Sequence, residues 1–432
     1  MGERRNFWLK LAIWTALVGF TGGLYALIGD SCTKFLYEKR SLGILSEIMA
    51  GRDVHPLSFY TVKADAFMKY VLFWMLLMGF MVIAIVSQGK AVVRQIGKGF
   101  GYILLIGFSI LFAFFIGEIV VRMTGFKPWD PSEKPIPVEP GGRLAELHPT
   151  LGYAMIPGRY TVTLPDGYKF TVTHGNDFLR ITSPLNASPV QPNEGEIWIF
   201  GCSFTYGWSL NDEQTYPWLL QEKFKNYKVV NFGTIGYGTL HALTQFREAL
   251  KAGRKPVVAI NAYGSFHDER NTFLRSRRKA VGPNNKLGPF RQPYARLRNG
   301  QLYYAMTKDV DYHEFPLMRH SALINLIEEC YNKTEAKAVN SPEVTERTLV
   351  DFDRTANGNG IPFVVAGIDS DSSTVLSEMR ARGISTVDIS VDLSNPIYRN
   401  GPHDSHPSAL ANQKYAENLA VYLRKQPWFK SQ

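Results

Sequence analysis

The chain has 432 residues, of which 45% are hydrophobic, and a formal net charge of +10. This length leaves room for two or three domains, and the positive charge indicates anionic partners or an anionic membrane surface without bearing on the fold. The three cysteines, Cys32, Cys202 and Cys330, lack the spacing of a metal site. Since a phosphate-binding P-loop motif is missing too, the sequence predicts no metal and no cofactor.

Three stretches near the amino terminus contain no charged residue: 11–29, 70–89 and 99–117. Each is about the length of a helix that crosses the hydrocarbon core of a membrane. The first stretch lacks a clear signal-peptide cleavage site and two more follow it, so we expect an anchor that stays with the protein. No comparable stretch occurs after residue 125. Residues 1–125 are therefore predicted to form a three-helix transmembrane region.

The basic residues near these stretches predict the orientation of the chain. Residues 4–10 and 90–98 each carry three basic residues and no acidic one, whereas the long loop after the first stretch mixes both signs. Because dense positive charge stays on the cytoplasmic side, we predict a multi-pass protein of the inner, cytoplasmic membrane. The large domain that follows would lie on the extracytoplasmic, periplasmic side, and the lipid bilayer is the first expected partner.

Residues 126–190 have the pattern of a linker followed by a small β-rich segment. The stretch 127–142 is rich in proline and charge, which favours a stiff connection. Further on, 160–164 and 168–173 alternate polar and apolar residues on either side of a Pro-Asp-Gly turn. That pattern predicts a β-hairpin.

From residue 191 onward apolar strands alternate with helical segments, which predicts an α/β domain over 191–432. The predicted strands are 196–201, 228–232, 257–263, 362–366 and 385–389. The predicted helices lie near 214–225, 239–252, 318–336, 341–356, 372–382 and 408–424. Such alternation implies right-handed crossovers and a parallel sheet that is covered on both faces. Reactive groups in these sheets collect at the carboxyl ends of the strands.

A basic insertion at about 275–315 interrupts this alternation. Eight basic residues and no acidic residue lie between Arg275 and Arg298. Two interpretations stay open: the segment guides an anionic polymer or contacts lipid headgroups, or it is a solvated surface loop. If the domain lies outside the cytoplasm, nucleic acid is not expected as a partner.

Two distant segments carry the residue types of nucleophilic acyl chemistry. Ser203 follows the predicted strand 196–201, and residues 403–407 read His-Asp-Ser-His-Pro just before a predicted helix. A serine hydroxyl needs a base that takes its proton, and that base is best held by a third group. The simpler alternative for Ser203 is a serine that caps the following helix. Cys202 is interpreted as a small buried filler in preference to a catalytic thiolate.

Three blocks of the sequence resemble those of the SGNH (GDSL-like) hydrolases: Gly201-Cys-Ser-Phe-Thr-Tyr-Gly, Asn231-Phe-Gly-Thr-Ile-Gly-Tyr-Gly-Thr and Asp404-Ser-His406-Pro. The resemblance covers about residues 190–425, with Cys202 in place of the family's aspartate and one residue fewer in the last block. It implies a flavodoxin-like three-layer fold with a parallel sheet. It also implies that Ser203 is the nucleophile, His406 the general base and Asp404 the group that orients it. His403 is a rival for the base.

The resemblance further implies an oxyanion hole made by the backbone amides of Ser203 and Gly236 and by His267. His267 stands where the family has an asparagine, and an imidazole N–H can also donate a hydrogen bond. The alternative is that this departure signals a lost or changed activity. Asp268 is a candidate for setting the tautomer of His267. The candidate substrate-binding residues are Arg270, Asp268 and Asn271, with Arg270 suited to a carboxylate or phosphate.

The resemblance as a whole implies a membrane-anchored, extracytoplasmic serine esterase or O-acyltransferase. The expected substrates are acyl esters, chiefly acetyl esters, of a cell-envelope polysaccharide, processed through an acyl-serine intermediate. The expected partners are the bilayer, an anionic or acylated polysaccharide and, for a transferase, a membrane protein that donates the acyl group. Two alternatives stay open: a non-catalytic envelope assembly factor with a degenerate hydrolase domain, and a lipase or lysophospholipase.

Overall fold

The structure of the protein is a computed structural model that describes residues 2–39, 62, 65, 68, 69, 71–77, 79, 80, 83, 98–131, 136–185, 194–283 and 285–429. The chain divides into two compact units, Met1–Asp130 with His313–Lys333, and Pro131–Tyr312 with Thr334–Gln432. These boundaries differ from the predicted ones at 125/126 and 190/191. The β-rich segment is not a unit of its own, because Val162 and Phe170 share an apolar cluster with Tyr206.

The first unit contains two long helices, Gly2–Lys39 and Lys98–Met123. Among the described residues, one stretch is long and apolar enough to cross a membrane, Phe7–Leu27, which overlaps the first predicted span. Half of the second predicted span, 70–89, lies outside the described residues. The third, 99–117, falls in the second long helix, whose side chains before residue 107 are also outside them. Multi-pass insertion and the orientation therefore stay predictions.

The end of the second long helix caps another helix of the same unit through Glu118. Its carboxylate accepts hydrogen bonds from the Ser321 hydroxyl (2.6 Å) and from the N–H groups of Ala322 and Leu323 (both 2.9 Å). These N–H groups begin the helix Ala322–Val339 and have no acceptor within it. A carboxylate at a helix N-terminus is also favoured by the helix dipole. Glu118 thus ties residues far apart in sequence into one unit.

The second unit mixes strands and helices. Its strands in chain order are β1 (Val138–Glu139), β2 (Ala145–His148), β3 (Gly152–Met155), β4 (Gly158–Thr163), β5 (Lys169–His174), β6 (Glu196–Phe200), β7 (Lys228–Asn231), β8 (Val258–Tyr263), β9 (Pro293–Arg298), β10 (Gln301–Met306), β11 (Phe363–Gly367) and β12 (Ser385–Asp388). Its α-helices are Ser203–Tyr206, Tyr216–Lys223, Thr239–Lys251, His267–Thr272, Arg275–Val281, Ser341–Asn357, Ser373–Ala381 and Ala409–Arg424, together with the end of Ala322–Val339. Short 3-10 helices lie at Asp212–Gln214, Ser370–Ser372 and Pro396–Tyr398.

Five of these strands form a parallel sheet in the order β12-β11-β8-β6-β7. In its register, Trp198 of β6 lies opposite Val230 of β7 and Ala259 of β8. Numbered along the chain and read from the β7 edge, the order is 2-1-3-4-5, which is the flavodoxin-like order. The predicted α/β fold with a parallel sheet is therefore confirmed.

The sheet is covered on both faces, because successive side chains of a strand point to opposite sides. On β6, Ile197 and Ile199 join an apolar cluster with residues of the helices Tyr216–Lys223 and Ala409–Arg424. Trp198 and Phe200 join a different cluster. That second cluster includes residues from the helices Thr239–Lys251, Ser341–Asn357 and Ser373–Ala381. All four β6 side chains are fully buried, so the domain has three layers with β6 in the middle layer.

The basic insertion is built from regular structure and is not a plain loop. It contains the helix Arg275–Val281 and the antiparallel hairpin β9–β10. The hairpin turns at Asn299 and Gly300, which have φ angles of 50° and 73°. Positive φ at both central residues is typical of the tight turn that joins two twisted strands. The predicted hairpin at 160–173 is observed as β4–β5, with Thr163 opposite Lys169.

Candidate active site

Ser203 is the first residue of a short helix at the carboxyl end of β6. Cys202, and not Ser203, occupies the N-cap position, and its side chain makes no capping hydrogen bond. Ser203 is 4% exposed, and its backbone N–H has no hydrogen-bond partner among the described residues. Since first-turn N–H groups find no acceptor in their own helix, this amide is free to bind a ligand. The Cys202 thiol is buried in an apolar cluster.

His406 connects to Ser203 from the loop that precedes the helix Ala409–Arg424. Its Nε2 lies 3.0 Å from the Ser203 hydroxyl oxygen. Its Nδ1 forms a short hydrogen bond with Asp404 Oδ1, which also accepts the backbone N–H of His406 at 2.6 Å. Because a carboxylate only accepts, Nδ1 carries the proton and Nε2 presents its lone pair to the Ser203 hydroxyl. Serine, imidazole and carboxylate are thus joined in one hydrogen-bond chain.

Asp404 is held ionised by its neighbours. Burial raises the pKa of Asp404, but the hydrogen bonds from His406 and Trp208 outweigh that effect, so the pKa lies below its usual value. The Trp208 indole N–H donates to Asp404 Oδ2 at 3.1 Å, while its ring contacts Phe170 with 5.2 Å between ring centroids. Sequence reasoning did not find Trp208, because its partner is 196 positions away. Trp208 positions Asp404 from the side opposite to His406.

His403, the rival for the base, points elsewhere. Its ring stacks on Tyr168 with 4.1 Å between centroids, and its Nδ1 lies 2.6 Å from Asp166 Oδ2 in the turn of the β4–β5 hairpin. The hydrogen bond from His403 lowers the pKa of Asp166. Of the two histidines, His406 is therefore the one that contacts Ser203.

The motif at residues 231–239, called the glycine block below, starts at the end of β7 and lies against the helix that carries Ser203. Asn231 donates to the carbonyl of Thr205 (3.1 Å) and accepts the N–H of Gly233 (2.9 Å), and the N–H of Thr234 donates to Gly201 O at 3.2 Å. Gly236 has a φ of +79°, a backbone conformation that is unfavourable for residues with a Cβ atom. A Cβ there would also lie 2.6 Å from the Tyr153 hydroxyl and from Arg277 Nη2.

The Gly236 amide, like that of Ser203, has no hydrogen-bond partner in the described part of the chain. Two free amides lie on segments that are hydrogen-bonded to each other, one on the nucleophile helix and one on the glycine block. Free donors of this kind are what an oxyanion hole needs. Their role as its first two donors stays a prediction.

His267 begins the helix His267–Thr272 after β8 and is fully buried. Neither ring nitrogen makes a hydrogen bond to the residues that the structure describes. Burial is the main reason that the pKa of His267 lies well below its usual value, with the charge of Arg270 second. The ring is therefore neutral, with one N–H that lacks an internal acceptor. Its role as third oxyanion donor stays a prediction.

Asp268 and Asn271 serve the interior and do not fit the substrate-binding prediction. Asn271 is fully buried, accepts the N–H of Leu240 at 2.9 Å and donates to Thr345 at 2.8 Å. Asp268 accepts the Tyr263 hydroxyl at 3.1 Å, and burial raises its pKa to about 6. Since the His267 ring has no partner, Asp268 does not set its tautomer. Both polar side chains satisfy buried groups because the helix His267–Thr272 packs against the helices Thr239–Lys251 and Ser341–Asn357.

A buried ion pair, also missed from the sequence, braces the chain just after Ser203. The Arg180 side chain is fully buried and pairs with Asp212 at 2.8 Å. It also donates to the carbonyls of Tyr206 (2.8 Å), Gly207 (2.6 Å) and Leu210 (2.7 Å). A planar guanidinium with five donors can bind several acceptors at once. Arg180 therefore fixes the path of the segment that carries Trp208.

The described residues also contain a cleft away from the Ser203 hydroxyl. A cleft of about 280 Å³ lies between β2–β3 and the helix Thr239–Lys251 and includes Thr234 and Tyr237 of the glycine block, but none of the residues around the Ser203 hydroxyl. Among the described residues, no group of three His, Cys, Asp or Glu side chains is placed to hold a metal ion.

Solved structures that are similar to this chain include several ester hydrolases. One is a member of the lipolytic G-D-S-L family from Veillonella parvula, with 13% identity, coverage of 53% of this chain and 99% of that chain, and a TM-score of 0.32. A GDSL-like lipase from Bacteroides thetaiotaomicron has 12% identity, coverage of 55% and 90%, and a TM-score of 0.29. A catalytic mutant of an acetylxylan esterase from Geobacillus stearothermophilus has 11% identity, coverage of 56% and 98%, and a TM-score of 0.32.

These similar structures are of the GDSL-like kind that the sequence motifs resemble. No protein-family model matches the sequence, and no curated protein does. At these TM-scores the likeness carries no weight for chemistry, so the proposed function depends on the geometry around Ser203.

Proposed function

We propose that the protein is a serine ester hydrolase or O-acyltransferase that works through an acyl-Ser203 intermediate. One observation carries this proposal: Ser203, His406 and Asp404 form a continuous hydrogen-bond chain, with 3.0 Å between the hydroxyl oxygen and the imidazole nitrogen. This is the arrangement that makes a serine hydroxyl nucleophilic. The free amides of Ser203 and Gly236 would supply the donors for the negative charge that develops.

In the acylation step, Ser203 Oγ attacks the ester carbonyl carbon while its proton moves to Nε2 of His406. Asp404 holds the imidazole by Nδ1 and stabilises the imidazolium that forms. The carbonyl oxygen becomes an oxyanion that the amides of Ser203 and Gly236 stabilise. When this intermediate collapses, the bond between the carbonyl carbon and the alcohol oxygen breaks. The alcohol leaves with the proton from His406 and the acyl group stays on Ser203.

In the second step, water or an acceptor hydroxyl attacks the acyl-serine and gives its proton to His406. The ester bond to Ser203 breaks, Oγ takes that proton back, and a carboxylic acid or a new ester leaves. The two reactions share the same acyl-enzyme and differ only in the acceptor. All three members of the Ser203–His406–Asp404 hydrogen-bond chain are present, which favours catalysis over the alternative of a non-catalytic assembly factor. No observation in the described residues favours a lipase.

The cellular setting belongs to the same proposal. The apolar helix Phe7–Leu27 has the length and composition of an anchor, and the two further predicted spans would make the protein multi-pass. With basic residues at the amino terminus retained in the cytoplasm, the Ser203 domain would lie outside the inner membrane. There it would act on acyl, chiefly acetyl, esters of a cell-envelope polysaccharide.

Trapping the acyl-enzyme tests this function. We expect detergent-purified full-length protein mixed with p-nitrophenyl acetate to release a burst of p-nitrophenolate equal to the enzyme concentration. Rapid quenching and peptide mass spectrometry should then find one acetyl group on the peptide that contains Ser203. Adding a sugar alcohol as acceptor separates transfer from hydrolysis, since transfer gives an acetylated sugar at the expense of acetate. A protein with no burst and no acetylated peptide across pH 6–9 contradicts the proposal.

Trp208→Phe tests the positioning of Asp404. The variant keeps an aromatic ring against Phe170 but loses the N–H that donates to Asp404 at 3.1 Å. A hydrogen bond to a charged group contributes about 1.5–3 kcal/mol, so kcat for p-nitrophenyl acetate should fall by about tenfold or more with little change in KM. The matched control is Trp218→Phe, which loses a similar 3.1 Å bond to Glu222 on an exposed helix face. Equal kcat values in the two variants would rule out this role for Trp208.

A further inference from the structure

Two arginines of the basic insertion and its neighbouring helix lie at the edge of the Ser203 site. Arg277 Nη2 donates to the carbonyl of Gly236 at 2.9 Å. Arg270 Nη1 donates to the carbonyl of Tyr237, the next residue, at 2.9 Å. Both arginines are only partly buried, so a ligand can reach them. The two guanidinium groups therefore flank the stretch of glycine block that carries the free Gly236 amide.

Neither arginine has a carboxylate partner within ion-pair distance in the described part of the chain, unlike Arg278, which pairs with Asp309 at 3.4 Å. Burial, and then the charge of Arg270, lowers the pKa of Arg277 to about 10, which still leaves it protonated at neutral pH. Two like charges that are partly desolvated repel each other, and the charge of Glu269, which acts on Arg277 without forming an ion pair, offsets only part of that repulsion. An anion between them would relieve that cost.

Aromatic rings join this pair to the catalytic groups. The Arg270 guanidinium lies 4.5 Å from the ring centroid of Phe266. The Phe266 ring is 5.3 Å from that of Phe204, and the Phe204 ring is 5.6 Å from the imidazole of His406. One continuous surface of side chains thus runs from the general base to the unpaired cation. A ligand that lies along this surface can place an ester at Ser203 and an anionic group at the arginines.

From this geometry we infer that Arg270 and Arg277 form an anion subsite that binds a carboxylate or phosphate of the ester substrate. The inference rests on the proposed function and specifies its substrate class: acyl esters whose alcohol or acyl part carries a negative charge close to the ester. Guanidinium groups bind both oxyanions through paired N–H donors. The neutral amide donors at Ser203 and Gly236 remain available for the carbonyl oxygen.

A simpler role for Arg277 is to latch the glycine block in place. The Tyr153 hydroxyl donates to the carbonyl of Ile235 at 2.5 Å, so it holds the same stretch of chain without a charge. Tyr153→Phe therefore loosens the block and removes a hydroxyl that contacts Arg277, but it keeps both guanidinium charges. A latch alone predicts that Tyr153→Phe and Arg277→Gln act alike on every ester, whereas an anion subsite predicts that only the arginine variants discriminate by charge.

The kinetic test uses three acetyl esters with the same phenyl framework: 4-acetoxybenzoate, 4-acetoxyphenyl phosphate and the neutral methyl 4-acetoxybenzoate. Intrinsic reactivity differs among them, so each variant is compared with wild type on each ester. We expect Arg270→Gln and Arg277→Gln to lower kcat/KM about tenfold or more for the subsite's preferred anionic ester relative to the neutral one. A loss of kcat/KM on 4-acetoxybenzoate indicates a natural substrate with a uronate-like carboxylate. A loss on 4-acetoxyphenyl phosphate indicates a natural substrate with a phosphate. Arg277→Lys should recover part of the loss.

Arg298→Gln is the matched control, because Arg298 belongs to the same basic insertion but is exposed and stacks on Tyr303 with 3.9 Å to its ring centroid. It should leave all three ratios unchanged. The inference is overturned if the arginine variants lose kcat/KM equally on the anionic and neutral esters. It is also overturned if they lose none on any of the three esters.

A binding measurement separates failure of the subsite from failure of the proposed function. Calorimetric titration of 4-acetoxybenzoate and 4-acetoxyphenyl phosphate into Ser203→Ala protein, with and without Arg270→Gln, needs no turnover. Binding that depends on Arg270, together with wild-type protein that hydrolyses none of the three esters, supports the subsite and contradicts the esterase. Hydrolysis of the neutral ester together with anion binding that ignores Arg270 supports the esterase and overturns the subsite.

Discussion

Replacement of Ser203 with alanine should lower kcat for p-nitrophenyl acetate by about 10⁴-fold or more. The variant keeps the free amides and the His406–Asp404 pair, but it has no atom that can form the acyl-enzyme. Residual turnover would come from water attacking an ester bound at the oxyanion donors. The burst of p-nitrophenolate should vanish as well. Steady-state and stopped-flow kinetics on detergent-purified full-length protein measure both quantities.

The neighbouring segment offers close controls for this result. Ser405→Ala removes an exposed serine hydroxyl that lies between Asp404 and His406 in the sequence. It should leave kcat within about twofold, as surface substitutions usually do. His403→Ala removes the ring that binds Asp166 and should also preserve kcat, whereas His406→Ala should match Ser203→Ala. If His403→Ala proved the more damaging histidine variant, the assignment of the base would be wrong. Full activity of Ser203→Ala would refute the mechanism itself.

Replacement of Arg180 with methionine should lower the free energy of unfolding of the domain by about 3–5 kcal/mol. The Arg180 side chain is fully buried, and the Asp212 side chain is only 10% exposed. Loss of Arg180 therefore leaves a buried carboxylate without its counter-ion. The carbonyls of Tyr206, Gly207 and Leu210 lose donors at the same time. Methionine fills much of the volume, so the cost arises from unpaired polar groups and not from a cavity. Urea unfolding followed by tryptophan fluorescence gives the difference.

Arg347→Met provides the comparison for that experiment. Arg347 pairs with Glu343 at 2.7 Å on a helix surface, with 45% and 35% of the two side chains exposed. Exposed ion pairs contribute at most about 1 kcal/mol. Similar losses in the two variants would mean that Arg180 is not a special brace. Adding Asp212→Asn to Arg180→Met should recover part of the loss, since it removes the stranded charge.

The sequence predicted the central sheet well because its signal is local. Residues 197–200 of β6 are a continuous apolar run, which is what burial on both faces requires. Three of the helices are amphipathic, namely Thr239–Lys251, Ser341–Asn357 and Ser373–Ala381. The pairing of Ser203 with His406 over 203 positions was predicted from the residue types of the two segments and from their resemblance to blocks of one family. The turn at Asn299-Gly300 was readable as a hairpin signal, but the density of basic residues around it concealed the alternation in β9 and β10.

Other features had no local signal at all. Arg180 precedes its partner Asp212 by 32 residues, and nothing in either neighbourhood marks them as buried charges. Trp208 looks like any apolar residue until the fold brings Asp404 to its indole N–H. For Asp268 and Asn271, the polar residue type suggested a ligand, whereas burial against Tyr263 and Leu240 uses their hydrogen-bonding capacity inside the protein. Only tertiary packing separates these two outcomes.

The bonds from Glu118 to the start of the helix Ala322–Val339 bear on how the protein can be divided for study. Residues 313–333 lie between two parts of the second unit in the sequence, but they belong to the first unit together with residues 1–130. Ala322 shares an apolar cluster with Val121 and Phe126. A fragment that starts at residue 131 would leave two helix N–H groups without their acceptor and that apolar patch uncovered. The second unit is therefore not obtained intact by one cut after Asp130. It needs either the end of helix Lys98–Met123 retained or the stretch 313–333 redesigned.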